Sequence, residues 1–322
     1  MLPKPLSIQS RVPRRPRKGA MTVCIAALSQ DSKAIVCMAD KALSYGSSIQ
    51  WDSDSSKVFE LNASGTLVLF AGSEDITSRV LGKIIALGDS IGDDIAETRK
   101  ILEHEYQEAV GEILTALYLT PRLLTKQEYI GAISQKKINP YMQGIAAEVK
   151  CYEPDCGLLV CGFDSQKRPF ILFVDSPGTV TDMTRTGFHS IGSGWEKSVS
   201  KMLYSEHKKK RELARTIYDA FDAKAFAEMA SGVGFDWETW VITEDRKSHH
   251  VPDDIDALVE HAWAEHDRSP FDKREKDDAD PPPKNWKSQL RKYARTVLPP
   301  DLDSKDEKPK HINLKKMERP RD

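Results

Sequence analysis

The sequence predicts a layered α+β domain, with helices covering both faces of packed sheets, over residues 21–246 of the 322. Three features predict it. Short apolar runs bounded by turn residues read as strands, two long stretches repeat their apolar residues at helical spacing, and the order runs strands, two helices, strands, two helices and a strand. The 39% hydrophobic content is enough to bury a sizeable core in the part that folds.

Residues 1–20 are rich in Pro and Arg and carry no periodicity, which reads as a disordered extension or as a mis-assigned translation start upstream of Met21. Residues 22–28 and 34–39 are apolar runs separated by the turn-like 29–33, a β-hairpin. A second hairpin follows in 57–61 and 66–70, around Asn62-Ala63-Ser64-Gly65. After Gly72 the period changes. Ile76, Val80, Ile84 and Leu87, then Ile101, Leu102, Ala109, Val110, Ile113, Leu114 and Leu117, predict two helices.

Between 120 and 155 the periodicity weakens, with Pro121 and Pro140 as breakers, so this stretch reads as an irregular or helical insertion. Strands return in 157–163 and 169–174, joined by a turn at 164–167, and again in 188–191. Helical patterning resumes over 196–204 and 210–229, and a strand at 237–243 closes the folded part. From Lys247 the composition shifts to charge and proline, so 247–322 is expected to be a charged, largely disordered tail in which 255–263 keeps an amphipathic trace.

Several function classes are disfavoured on composition. A net charge of −2 gives no footprint for nucleic acid. No apolar run approaches the roughly 20 residues of a membrane helix, and the Arg-rich start is not followed by an apolar h-region, so neither a membrane nor a secretory route is expected. Five cysteines, an odd number without a secretory signal, suggest reduced thiols in the cytoplasm. No C-x-x-C pair supports a zinc site, and no Gly-Lys-Ser/Thr phosphate loop supports a bound nucleotide. Neither metal nor cofactor is expected.

Four short stretches, taken in order, resemble the proteasome β-subunit and its bacterial relatives, the HslV and Anbu peptidases. They are Met21-Thr22-Val23-Cys24-Ile25 with Met38-Ala39-Asp40; Ser56-Lys57-Val58-Phe59 followed by Phe70-Ala71-Gly72-Ser73; Ile191-Gly192-Ser193-Gly194; and Glu228-Met229-Ala230-Ser231-Gly232. The resemblance covers 21–246 and implies a four-layer αββα sandwich of two packed antiparallel sheets, the architecture of N-terminal-nucleophile (Ntn) hydrolases. It also implies a threonine-type peptidase in which Thr22, once first in the chain, is the nucleophile.

The chemistry behind that implication is specific. A Thr hydroxyl is a weak nucleophile, but a free α-amine on the same residue, with a reference pKa of about 7.7–8.0, can take its proton. By resemblance Lys57 supplies a neighbouring ammonium that disfavours protonation of that amine, and Asp40 anchors Lys57. Gly72 matches the oxyanion donor; Ser193, Ser231 and Glu228 match the polar group around the amine, with Glu228 standing where the family usually has Asp.

Two departures are visible. The family's nucleophile usually follows a Gly at a self-cleaved junction, whereas Thr22 follows Met21. Removal of an initiator Met21 would expose Thr22, while a real 1–20 segment requires cleavage between Met21 and Thr22. Thr22 also lies about two residues farther from Asp40 than the family's pattern, a difference that a longer turn at 30–33 absorbs and that Cys24, also a competent nucleophile, would not need.

Plain readings stand beside these. Asp40 and Lys57 could be strand-end charges, Gly72 and Gly192-Ser193-Gly194 turn punctuation, Thr22 a β-branched residue opening a strand, and Cys24 a small buried hydrophobe. The resemblance further implies peptide or unfolded-protein substrates, a homo-oligomeric ring or related multimer and, for any ATP dependence, a separate unfoldase. Two other functions remain open: a catalytically silent assembly protein of the same fold, and a small-molecule amidase using Cys24.

Overall fold

The computed structural model describes residues 22–45, 49–52, 56–135, 139–228, 233–266 and 285–299. The chain begins with β1 (Cys24–Ser29) and β2 (Ala34–Asp40), paired antiparallel with Cys24 opposite Ala39. Their connection is a tight turn over Gln30–Ser32, where all three residues take positive φ, between 52° and 71°. A short hairpin follows, β3 (Ala42–Tyr45) with β4 (Ile49–Asp52). Next come β5 (Val58–Glu60) and β6 (Leu67–Gly72), and then α1 (Glu74–Ala86) and α2 (Ile95–Leu114).

The insertion contains two helices, α3 (Lys126–Ser134) and α4 (Pro140–Lys150). Thr125 and Glu128 form a reciprocal capping box on α3, and Asn139 caps α4 with Pro140 in its first turn. Pro140 thus starts a helix where the sequence suggested a break, because a first-turn residue has no N–H partner to lose.

Strands β7 (Cys156–Phe163), β8 (Pro169–Asp175), β9 (Thr179–Asp182) and β10 (Phe188–Ile191) precede α5 (Trp195–Tyr204) and α6 (Leu213–Ala227). The chain continues through β11 (Trp237–Thr243), β12 (Lys247–His250), α7 (Asp253–His266) and α8 (Trp286–Val297). The fold is therefore mixed α+β, with two five-stranded antiparallel sheets, ordered β10-β1-β2-β11-β12 and β5-β6-β7-β8-β9, and eight helices among the described residues.

Strand alternation divides the apolar side chains between faces. Cys24, Ala26 and Leu28 of β1, with Ile35, Cys37 and Ala39 of β2, enter a core shared with Leu67, Leu69, Leu159 and Ile171 of the second sheet. The intervening Ile25, Ala27, Val36 and Met38 pack instead against residues of α5–α8. On the second sheet's other face, Val68, Leu158, Val160 and Leu172 meet Val80, Ile84, Leu102 and Tyr106 of α1 and α2.

Folded structure extends beyond Arg246, where composition suggested a tail. β12 pairs with β11, and Leu258, Val259 and Trp263 of α7 and Leu290 and Ala294 of α8 are buried in the core under the first sheet. Each helix buries an apolar stripe, which the average composition of the charged stretches around it dilutes. The stretches 267–284 and 300–322 of the expected tail, and the whole of 1–20, lie outside the described residues.

Asp256 is expected to make the docking of α7 depend on pH. Its carboxylate is buried and accepts a 2.8 Å hydrogen bond from the Thr239 hydroxyl, and burial, which outweighs that bond, pushes its pKa up to about 7. The folded chain therefore holds this proton more tightly than the unfolded chain. The stabilisation is complete below the ordinary carboxylate range and is lost as pH rises to about 7, at most about 4 kcal/mol across that window. Hydrogen exchange of the α7 amides is expected to speed up between pH 5.5 and pH 8 beyond the intrinsic base-catalysed increase, and Asp256→Asn is expected to remove that excess.

Candidate active site

The register that sets Cys24 opposite Ala39 places Asp40, the last residue of β2, level with Val23. Its carboxylate is fully buried and accepts from Val23 N at 2.8 Å and Lys57 Nζ at 3.1 Å on Oδ1, and from Gly234 N at 3.0 Å on Oδ2. Lys57, immediately before β5, is buried as well and reaches from the second sheet to the first, donating to Thr22 Oγ1 at 2.7 Å. A buried ammonium and carboxylate are tolerated only when each is paired and hydrogen-bonded. Here the cation divides its donors between Asp40 and the hydroxyl, so the Thr22 oxygen sits against positive charge.

Thr22 is held on its other side by the turn between β10 and α5. Its N–H donates to Ser193 Oγ at 3.2 Å, and its carbonyl accepts from Gly194 N at 3.2 Å. Gly192 has φ +90°, and a Cβ there would lie 2.1 Å from the Thr22 carbonyl oxygen, so the approach requires glycine. Gly72 ends β6 at φ +129°, where a Cβ would meet the Asp155 carbonyl oxygen at 2.1 Å.

Thr22, Asp40, Lys57 and Ser193 are thus brought together by direct contacts. Gly72 and Ser193 line a common cleft of about 670 Å³, walled by the rings of Phe173, His189 and Trp195. Burial lowers the His189 pKa to about 4, leaving the ring neutral at ordinary pH. Thr22 touches two lining residues, Gly192 and Ser193, but is itself only 2% exposed.

Glu228 sits at the C-cap of α6, where its carboxylate accepts from Lys224 Nζ at 2.6 Å. Lys224 is completely buried, also donates to the Phe235 carbonyl, and lies 4.7 Å from the Trp237 ring centre. Ser231 falls in 229–232, outside the described residues. Cys24 points into the core between the sheets, fully buried, with its thiol donating to the Phe70 carbonyl at 3.3 Å. Burial pushes that thiol far above its usual pKa, the Lys57 charge opposing only in part, so Cys24 is a packed thiol and a poor nucleophile.

Glu238 belongs to the site as well, although no motif in the sequence marks it. It is 4% exposed and accepts from the Lys57 backbone N–H at 3.0 Å, the Ser56 hydroxyl at 2.7 Å and Trp240 Nε1 at 3.2 Å. A signal existed: in β11, alternation puts residue 238 on the face of Ile242, which packs between the sheets. A carboxylate on such a face requires dedicated partners.

Among the described residues no group of three or more His, Cys, Asp or Glu is placed to hold a metal ion, and no helix is long and apolar enough to cross a membrane. No protein-family model matches the chain, and no curated protein matches it. Among solved structures it is similar to eukaryotic HslV from Trypanosoma brucei, at 16% identity and a TM-score of 0.44, over 69% of this chain and 99% of that one.

Proposed function

We propose that this chain is an amide-bond hydrolase of the threonine-peptidase type, an αββα Ntn sandwich activated by release of Thr22 as the first residue. The observation that carries the reading is the buried contact of Lys57 Nζ with Thr22 Oγ1 at 2.7 Å and Asp40 at 3.1 Å. Few roles other than activating the oxygen require an ammonium to be desolvated against a hydroxyl.

In the uncleaved chain the Thr22 nitrogen is an amide with no basic lone pair, and its hydroxyl is buried. Cleavage of the Met21–Thr22 bond turns that nitrogen into an amine held by Ser193. The amine takes the Oγ1 proton, and Oγ1 adds to a substrate carbonyl whose developing charge is received by the Gly72 N–H. The α-ammonium then protonates the leaving amine as the C–N bond breaks. Water, losing a proton to the α-amine, adds to the acyl carbonyl, and the α-ammonium returns that proton to Oγ1 as the ester C–O bond breaks and the acid leaves.

Lys57 supports each step by favouring the neutral amine and the charged oxygen. Glu228 and Ser231 keep the roles implied by resemblance, as surroundings of the amine, with Lys224 fixing the Glu228 carboxylate. The reading carries with it peptide or unfolded-protein substrates, a homo-oligomeric ring or multimer, a cytoplasmic setting and, for any ATP dependence, a separate unfoldase.

A peptidyl epoxyketone tests it, because the stable adduct needs both the hydroxyl and the α-amine of one terminal residue. Peptide mapping is expected to place the adduct on Thr22, to find none in Thr22→Ala, and to find it undiminished in Cys24→Ala. Modification confined to Cys24 would replace this reading with the thiol amidase, and a chain that hydrolyses nothing and takes no label would replace it with the assembly protein.

A further inference from the structure

We infer that Glu238 is a positioning residue for this chemistry, clamping the backbone at Ser56–Lys57 so that the Lys57 ammonium meets Thr22; the inference rests on the function proposed above. Lys57 is stitched between the two sheets. Its carbonyl accepts from Phe70 N of β6 at 3.3 Å, in the second sheet, while its N–H donates to Glu238 of β11 at 3.0 Å, in the first. Ser56 adds a second stitch, donating its hydroxyl to the same Glu238 oxygen at 2.7 Å and accepting from Val58 N at 3.0 Å.

The reacting contact crosses the same gap. Thr22 enters the first sheet through β1 and Lys57 enters the second through β5, so the 2.7 Å separation depends on how the sheets are held at this end. Glu238 pairs in register with Ala39, the neighbour of Asp40. One end of one strand pair therefore carries both the carboxylate that receives the Lys57 ammonium and the one that receives the Lys57 backbone.

An apolar residue at 238 would fill the inter-sheet face with less desolvation but would leave the Lys57 N–H without this acceptor. A carboxylate retained there, with Trp240 Nε1 fixing its second oxygen at 3.2 Å, provides direction where packing alone provides none. Misplacing a catalytic group by about 1 Å costs on the order of 10²-fold in rate. Binding, which uses the cleft, is left intact.

The test measures kcat and KM for a fluorogenic peptide amide, and the epoxyketone rate at Thr22, in the full chain with Glu238→Ala, Glu238→Gln and Ser56→Ala. Rates are normalised to the fraction of chains that begin at Thr22. Glu238→Ala is expected to lower kcat about 100-fold with KM within a few-fold, and Glu238→Gln, which keeps a carbonyl acceptor for the Lys57 N–H, to recover most of that loss. Ser56→Ala, which removes one stitch, is expected to lose about 10-fold. If Glu238→Ala does not fold, the other two variants decide. Wild-type kcat in Ser56→Ala, or in a folded Glu238→Ala, would overturn the clamp, as would an equal rise in KM and fall in kcat. Absence of a Thr22 adduct in the wild type would instead overturn the underlying function.

Discussion

Lys57→Met is expected to lower the rate of Thr22 acylation about 10³-fold while leaving affinity for the cleft unchanged. The expectation follows from where the charge sits: the ammonium is 4% exposed and 2.7 Å from the reacting oxygen, so solvent cannot replace it. Methionine fills the same volume without charge, which isolates the electrostatic part. The same change takes the Lys57 ammonium away from buried Asp40, which keeps its bonds from Val23 N and Gly234 N, and removing one partner of a buried pair costs about 3–5 kcal/mol. Adding Asp40→Asn to Lys57→Met is therefore expected to restore part of the stability and none of the activity. Urea unfolding and epoxyketone labelling read the two effects separately.

Gly72→Ala is expected to be nearly as damaging, by a different route. At φ +129° alanine is strained, and its Cβ would lie 2.1 Å from the Asp155 carbonyl oxygen and 2.6 Å from the Asp155 carbonyl carbon. Both obstacles are backbone, and Asp155 is also tied to Ser73 N by a 2.7 Å hydrogen bond, so the end of β6 must shift. The shift moves the N–H assigned to the oxyanion. We expect kcat to fall about 10²–10³-fold, the usual cost of one lost oxyanion donor. A few kcal/mol of stability should go with it, seen as a lower thermal midpoint.

How far the sequence was legible depended on the range of the interaction. The first hairpin, the Gly65 turn and the helices after Gly72 were read from local pattern, and the structure forms them with boundaries moved by a few residues. The grouping of Thr22, Asp40 and Lys57 is legible only through the resemblance in motif order; hairpin pairing accounts for Val23 beside Asp40, but Lys57 arrives from the other sheet. The turn that closes this hairpin, with Gln30, Asp31 and Ser32 all at positive φ, falls within the turn-like stretch 29–33.

What escaped was long-range or diluted. Glu238 lies 181 residues from Lys57: strand alternation shows that its carboxylate needs partners, but not that another segment's backbone supplies them. β9 is four residues long with a single buried position, too short for alternation to register. α8 is lost in the average composition of a charged tail, although Leu290 and Ala294 mark one face of it, and α7 shows only as the amphipathic trace at 255–263. For Glu228, the partner Lys224 lies one helical turn earlier and completely buried, and sequence spacing cannot distinguish such a pair from an exposed one.

The most direct test is the identity of the first residue in the active protein. Intact mass and terminal sequencing of material expressed from its own start, read beside its hydrolytic rate, should show activity rising in proportion to chains that begin with Thr22. Full activity in chains that still carry Met21, or activity that survives Thr22→Ala, would contradict the account.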